Sequence, residues 1–132
     1  MKKSYRSFLT ARGYELDSYG HVNNAVYLQY YEHARWEMMK NLGFLDPLKE
    51  TGISVVVVES LVRYMRETNM FDDLVIESSF KVEAPYLVFY QKIIDMKTNL
   101  PVSRARIKTI FLGPDKLPQD IPSFLTMSTL TC

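Results

Sequence analysis

The sequence has a single cysteine, Cys132, as its last residue. An intramolecular disulfide is therefore excluded, no secreted disulfide framework is in view, and a reducing cytoplasm is the expected compartment. Long apolar runs are equally absent. No stretch approaches the roughly 20 residues of a transmembrane helix, and Tyr5, Arg6, Arg12 and Glu15 interrupt any signal-peptide core behind Met1-Lys2-Lys3. Neither a membrane span nor a leader is expected. Charge of one sign is also missing: 16 basic residues stand against 15 acidic ones, with a net charge of +1 and no long run of either. Nucleic acid and anionic lipid are thus not expected partners. The two histidines, His21 and His33, have no metal-ligand spacing with a cysteine or with each other, and no His-Glu-x-x-His pattern occurs. The five glycines form no phosphate-binding loop. No metal and no cofactor are expected.

A chain of 132 residues suits one domain, taken as residues 1–132, and is long enough to close a core. The prolines are scattered from Pro47 to Pro122 without marking a linker. Tyr5 to Tyr14 mixes aromatic, β-branched and basic residues and runs into Asp17-Ser18-Tyr19-Gly20, which predicts a strand followed by a turn. From Asn24 to Leu42 there is no Pro or Gly. Tyr27, Tyr30, Tyr31, Ala34, Met38 and Leu42 form one apolar stripe before Gly43 closes the segment, which predicts a long helix. Val26, Leu28, Trp36 and Met39 add apolar surface off that stripe, so the helix should be wrapped by sheet or partner.

Everything after Gly52 has strand character. Ile53 to Val58 is β-branched, and Leu61 to Met65 extends it past a bend. Ile76, Ser78, Phe80, Val82 and Ala84 alternate with polar residues. Tyr86 to Met96 and Val102 to Leu112 read as a hairpin across residues 97–101. One helix and several successive strands imply an α+β fold with a mostly antiparallel sheet. A single helix covers one face, so an edge remains to be satisfied. Val55 to Tyr64 is the candidate edge for pairing across a two-fold axis, against the alternative of an ordinary buried central strand.

Asp17-Ser18-Tyr19-Gly20-His21-Val22-Asn23-Asn24-Ala25-Val26-Tyr27, followed by Tyr31, Glu32, Ala34 and Arg35, closely resembles the signature of hotdog-fold acyl thioesterases of the 4-hydroxybenzoyl-CoA thioesterase-like branch. Tyr64 with Asp72-Asp73 and the Lys116-Leu117-Pro118 ending add weaker support. The resemblance implies an antiparallel sheet curled around one long central helix, dimers or dimers of dimers joined edge to edge, and active sites at the dimer interface. It also implies that Asp17 acts as nucleophile or general base, and that the amide of Asn24 polarises the thioester carbonyl. Gly20, His21, Val22, Asn23 and Tyr27 fall in the same motif as the expected substrate-binding surround.

The chemistry suits so small a set of groups. A thiol has a pKa near 8.5, so a thiolate departs at neutral pH with little need for a general acid, and one carboxylate suffices. Free N–H groups at a helix N-terminus supply the oxyanion donors. A triad of Ser18, His21 and Asp17 would require neighbours on one turn to converge, so His21 is expected to orient the loop instead. Glu32 is the competing carboxylate, expected to pair with Arg35 or Trp36. The alternatives to a thioesterase are a hotdog hydratase or dehydratase, with His21 and Asp17 as its pair, and a non-catalytic acyl-CoA-binding protein. The donor is acyl-CoA or an acyl carrier protein. The Glu83-Ala84-Pro85-Tyr86 turn is not basic, and Arg63, Arg66, Lys81, Lys92, Arg104 and Arg106 are as compatible with solvated strand faces as with phosphate binding.

Overall fold

The computed structural model describes residues 4–126; Cys132 lies outside them. The elements are β1 (Tyr5–Thr10), a short 3-10 turn (Gly13–Glu15), α1 (Asn24–Asn41), α2 (Leu45–Thr51), β2 (Ser54–Tyr64), β3 (Asp73–Glu83), β4 (Tyr86–Asp95), β5 (Leu100–Leu112), β6 (Pro118–Gln119) and α3 (Ser123–Thr126). All strand pairings are antiparallel, in the order β1-β3-β4-β5-β2, with β6 against the end of β5. The α+β hotdog expectation holds: one sheet, one long helix against it.

Several boundaries differ from the sequence expectation. The first strand stops at Thr10, because Arg12 to Glu15 closes a turn in which the Glu15 carboxylate accepts from the Arg12 amide and guanidinium. Residues 54–64 are one strand, and the expected bend is a register shift between Val57 and Glu59. A bulge adds twist without ending the ladder. α2 was not anticipated, and α3 departs from an all-strand second half. Among the described residues no helix is long and apolar enough to cross a membrane.

The helix α1 begins at Asn23, whose side chain accepts from the Ala25 amide, and ends as Gly43 takes φ +77°, a left-handed conformation natural to glycine. Its stripe of Tyr27, Tyr30, Tyr31, Ala34, Met38 and Met39 is buried. Burial of each large side chain contributes about 1.5–3 kcal/mol, so tertiary packing holds the helix. Leu74, Ile76, Phe80, Phe89, Ile107 and Phe111 supply the sheet side of that core.

A polar seam crosses this core. Tyr31 Oη donates to Ser103 Oγ at 2.7 Å, and Gln91 Nε2 donates to the Tyr31 carbonyl at 3.0 Å and to Ser78 Oγ at 2.9 Å. Arg35 donates to Gln91 Oε1 at 3.1 Å and lies over the Phe89 ring, so it does not make the expected ion pair with Glu32. Burial draws the Arg35 pKa down, and the Glu32 charge opposes that shift. These bonds fix the rotation of α1 on the sheet, because a slipped helix would leave Gln91 and Tyr31 unpaired in the core.

The helix packs most closely on β1 and β3, and meets β5 and β2 through the Tyr31–Ser103 and Tyr64–Asn24 hydrogen bonds. β2 is an edge strand, as expected for Val55 to Tyr64. Val57 and Tyr64 lie opposite the buried Thr109 and Ser103, on the helix side of the sheet, yet both are exposed. Leu28 and Trp36 on α1 are exposed too.

Candidate active site

The approach to α1 is a small hairpin. The Asn23 amide donates to the Glu15 carbonyl at 2.9 Å, Leu16 and Val22 form an antiparallel bridge, and the Asp17 amide donates to the His21 carbonyl at 2.8 Å. Gly20 turns the chain with φ +81°, where a side chain would be strained. Asp17 thus stands across from His21, which lies three residues before the helix begins.

The Asp17 carboxylate is held by its own turn. Its Oδ1 accepts from the amides of Tyr19 at 2.9 Å and His21 at 3.3 Å, an Asx arrangement that fixes the side chain. Oδ2 has no partner among the described residues. The His21 imidazole turns away and meets Glu67 at 3.0 Å, so Ser18, His21 and Asp17 do not assemble as a triad, and no His–carboxylate pair forms with Asp17. Among the described residues no group of His, Cys, Asp and Glu has the arrangement of a metal site.

At the helix start, the Ala25 amide is taken by Asn23 Oδ1 and the Val26 amide by the Asn23 carbonyl. The Asn24 N–H is left without an acceptor among the described residues. It points along the positive end of an 18-residue helix. On the other side of Asn24, its carbonyl accepts from Tyr64 Oη at 3.0 Å, a bond from the end of β2. Only the register of the folded sheet brings Tyr64 there. Tyr64 packs edge-on against Tyr27 with ring centroids 5.4 Å apart. Tyr27 itself is buried, with its hydroxyl donating to Thr68 Oγ1 at 2.9 Å, and the Val22 amide donates to the Thr68 carbonyl. Tyr27 and Val22 therefore back the hairpin, whereas Gly20, Asn24 and part of His21 face outward.

Glu15 anchors the whole assembly and carried no signal of its own in the sequence. Burial pushes its carboxyl up, but the Tyr30 hydroxyl at 2.6 Å, the Arg12 amide at 2.8 Å and the Arg12 guanidinium outweigh that and hold it below the usual carboxylate range. Burial and the Glu15 charge together raise the Tyr30 phenol far above its ordinary value, so it stays protonated and donates.

Two cavities stand out among the described residues. One of about 520 Å³ lies on the sheet face away from α1; one of about 380 Å³ lies between α1 and β1, beside Glu15 and Tyr30. Neither is lined by Asp17 or Asn24.

The sequence profile of the Thioesterase-like superfamily matches residues 12–126. The chain belongs to that superfamily. A chloroplastic acyl-acyl carrier protein thioesterase of Arabidopsis thaliana is 27% identical over 125 residues, covering 93% of this chain and 66% of that protein. The long-chain acyl-CoA thioesterase FadM of Escherichia coli is 38% identical over 73 residues, covering 55% of each. This member of the superfamily spans less than two thirds of either relative's length. Among solved structures, the probable thioesterase YbaW of Escherichia coli superimposes with a TM-score of 0.81 at 28% identity, over 86% of this chain and 87% of that one. A 1,4-dihydroxy-2-naphthoyl-CoA thioesterase from Synechocystis shares the fold, with a TM-score of 0.84 at 13% identity over 94% and 93% of the chains.

Proposed function

We propose that this superfamily member hydrolyses acyl thioesters of CoA or an acyl carrier protein, in the cytoplasm and as a homodimer, with Asp17 and the Asn24 amide as its chemical groups. The observation that carries this reading is the acceptor-free Asn24 N–H at the head of α1, preceded by a hairpin that immobilises one carboxylate oxygen of Asp17 and leaves the other unpaired.

The thioester carbonyl oxygen hydrogen-bonds to the Asn24 N–H. Asp17 removes a proton from water as the water oxygen bonds to the acyl carbon, or its free oxygen attacks that carbon directly and the resulting anhydride is then hydrolysed. Either way negative charge collects on the carbonyl oxygen, where the amide and the helix dipole stabilise it. Collapse breaks the C–S bond, and the thiolate leaves and takes up a proton. Free acid and free thiol result. The turn away of His21 toward Glu67 weighs against hydratase chemistry, which needs a proton-transfer pair beside the substrate.

Neither of the two cavities described reaches Asn24, and the β2 edge beside it carries the exposed Val57, Val58, Leu61 and Tyr64. A second copy pairing along β2 would cover that edge and wall the space beside Tyr64 and Asn24. Thiol release from a panel of acyl-CoA and acyl-carrier thioesters is the test. Asp17→Asn is expected to lower turnover by about 10²–10⁴-fold with unchanged melting temperature. Release unaffected by that substitution would remove Asp17 from the mechanism, and tight binding without release in the wild type would favour an acyl-CoA-binding protein.

A further inference from the structure

The pairing register gathers on the sheet face away from α1 a set of cations that are far apart in sequence. Arg63 of β2 lies directly opposite Arg104 of β5, and Arg104 directly opposite Lys92 of β4. Residues paired in this way share a face, and like charges directly opposite one another weaken a sheet. In the next row but one toward the middle of the strands, Arg106 stands between Leu61 and Tyr90. These side chains line the concave cavity of about 520 Å³, in which four cations face a single carboxylate, Glu77. That carboxylate is shared between Lys92 at 3.7 Å and Arg6 at 3.4 Å. Arg106 reaches Glu59 at 3.5 Å. Arg63 and Arg104 are exposed and have no acidic partner among the described residues. In a chain with a net charge of only +1, this is a local excess of positive charge with an uncompensated centre.

The groove lies at the same end of the sheet as the candidate active site. Side chains alternate along a strand, so Arg63 faces the groove while its neighbour Tyr64 reaches through to the Asn24 carbonyl on the helix side. The two sites are separated by little more than the sheet itself.

We propose that this groove holds the phosphorylated nucleotide end of a CoA thioester, with Arg63 and Arg104 as its phosphate-binding residues. The proposal deepens the thioesterase reading by naming the carrier. Adjacent strands lie about 4.8 Å apart, so Arg63, Arg104 and Lys92 present three cations across about 10 Å, suited to a ligand carrying more than one phosphate group. Guanidinium groups grip phosphate oxygens in bidentate fashion. The concavity and size of the cavity suit a small molecule, whereas the acidic surface of a carrier protein would ask for a flatter basic patch. The apolar Leu61 and the Tyr90 ring lend the groove contact area for a base and sugar. The arm joining nucleotide to thioester would pass the rim where Arg66 donates to the Pro101 carbonyl.

The test uses the full chain and the variants Arg63→Ala, Arg104→Ala and their double, all at exposed positions. Adenosine 3′,5′-diphosphate, which carries phosphates but no thioester, is titrated by calorimetry. Steady-state rates are measured on an acyl-CoA, on the matching acyl-pantetheine and on the acyl-carrier protein. The wild type is expected to bind the nucleotide, and each substitution to weaken binding by about tenfold or more. The kcat/KM for acyl-CoA should fall in step, through KM, while that for acyl-pantetheine stays constant. Failure of the wild type to bind the nucleotide, equal binding by the double variant, or slowing confined to the acyl-carrier substrate would each overturn the proposal. If no thioester is turned over at all, the hydrolase reading fails, and the nucleotide titration still decides the groove.

Discussion

The two edges of the sheet are built in opposite ways. β1 is six residues long, runs at once into the 3-10 turn, has α1 against it, and ties its side chains to β3 through Arg6 with Glu77 and Thr10 with Asp73. β2 is eleven residues long, carries Val55 to Val58 in succession, and has exposed apolar side chains on both faces. A long apolar edge is an aggregation hazard unless something covers it, and short, charged or covered edges are how proteins blunt the others. β1 has the features of an edge that ends a sheet, and β2 lacks them, which is why the homodimer is proposed along β2. The candidate catalytic groups sit near the second kind, because Tyr64 at the end of β2 touches Asn24.

The sharpest way to break this contrast is to put a charge on each edge. If the proposed dimer pairs along β2, Val57→Asp is expected to shift its dissociation by more than about 100-fold, since an unpaired carboxylate would be desolvated at the junction. Turnover should be lost with the dimer. Phe8→Asp on β1, where Phe8 is also exposed, should leave the association state unchanged. Sedimentation across a range of concentrations separates the two, and equal responses would show that the edges are equivalent.

A smaller effect is expected on the β1 flank, where the stabilising element is a buried polar cluster. Glu15→Ala would strand the Tyr30 hydroxyl, the Arg12 amide and the guanidinium, at a cost of about 3 kcal/mol. Chemical denaturation measures it, with the dimer equilibrium expected to stay put. The same group sets a pH dependence. Because the folded state holds the Glu15 carboxyl below its unfolded value, its stabilisation is complete above the ordinary carboxylate pKa of about 4.3 and is lost as pH falls through the lower folded value. Wild type should therefore lose stability on acidification more steeply than Glu15→Gln. Parallel curves would mean that Glu15 is not held as an anion.

How much of this was legible beforehand follows from how local each signal is. The helix was, because Tyr27 to Leu42 repeats within one segment and Gly43 ends it. The hairpin motif was, because Asp17 to Asn24 is contiguous. β2 was visible as an edge from its valines and from the need to satisfy a sheet covered on one side. Its bulge was not, since two residues facing one is a property of the pair and not of either strand. α2 escaped because seven residues containing Pro47 show no helical period. Glu15 looked like one acid among fifteen. Arg63, Lys92 and Arg104 could be named as cations, but only register shows that they are neighbours lining one groove, which Lys81 and Arg66 do not line.

The smallest effect belongs to the bond that links the open edge to the site. Tyr64→Phe keeps the ring contact with Tyr27 and removes only the hydroxyl donated to the Asn24 carbonyl. The half-exposed position puts the stability loss near the lower end of the 0.5–1.5 kcal/mol range for a hydrogen bond, about 0.5 kcal/mol. That carbonyl belongs to the Asn24–Ala25 peptide at the start of the helix, so releasing it should loosen the first turn and with it the orientation of the adjacent Asn24 N–H. A loss of kcat larger than the loss in stability, with KM little changed, would show that β2 helps to aim the oxyanion donor. Equal, small losses in both would reduce Tyr64 to packing and leave the edge strand a purely structural neighbour of the site.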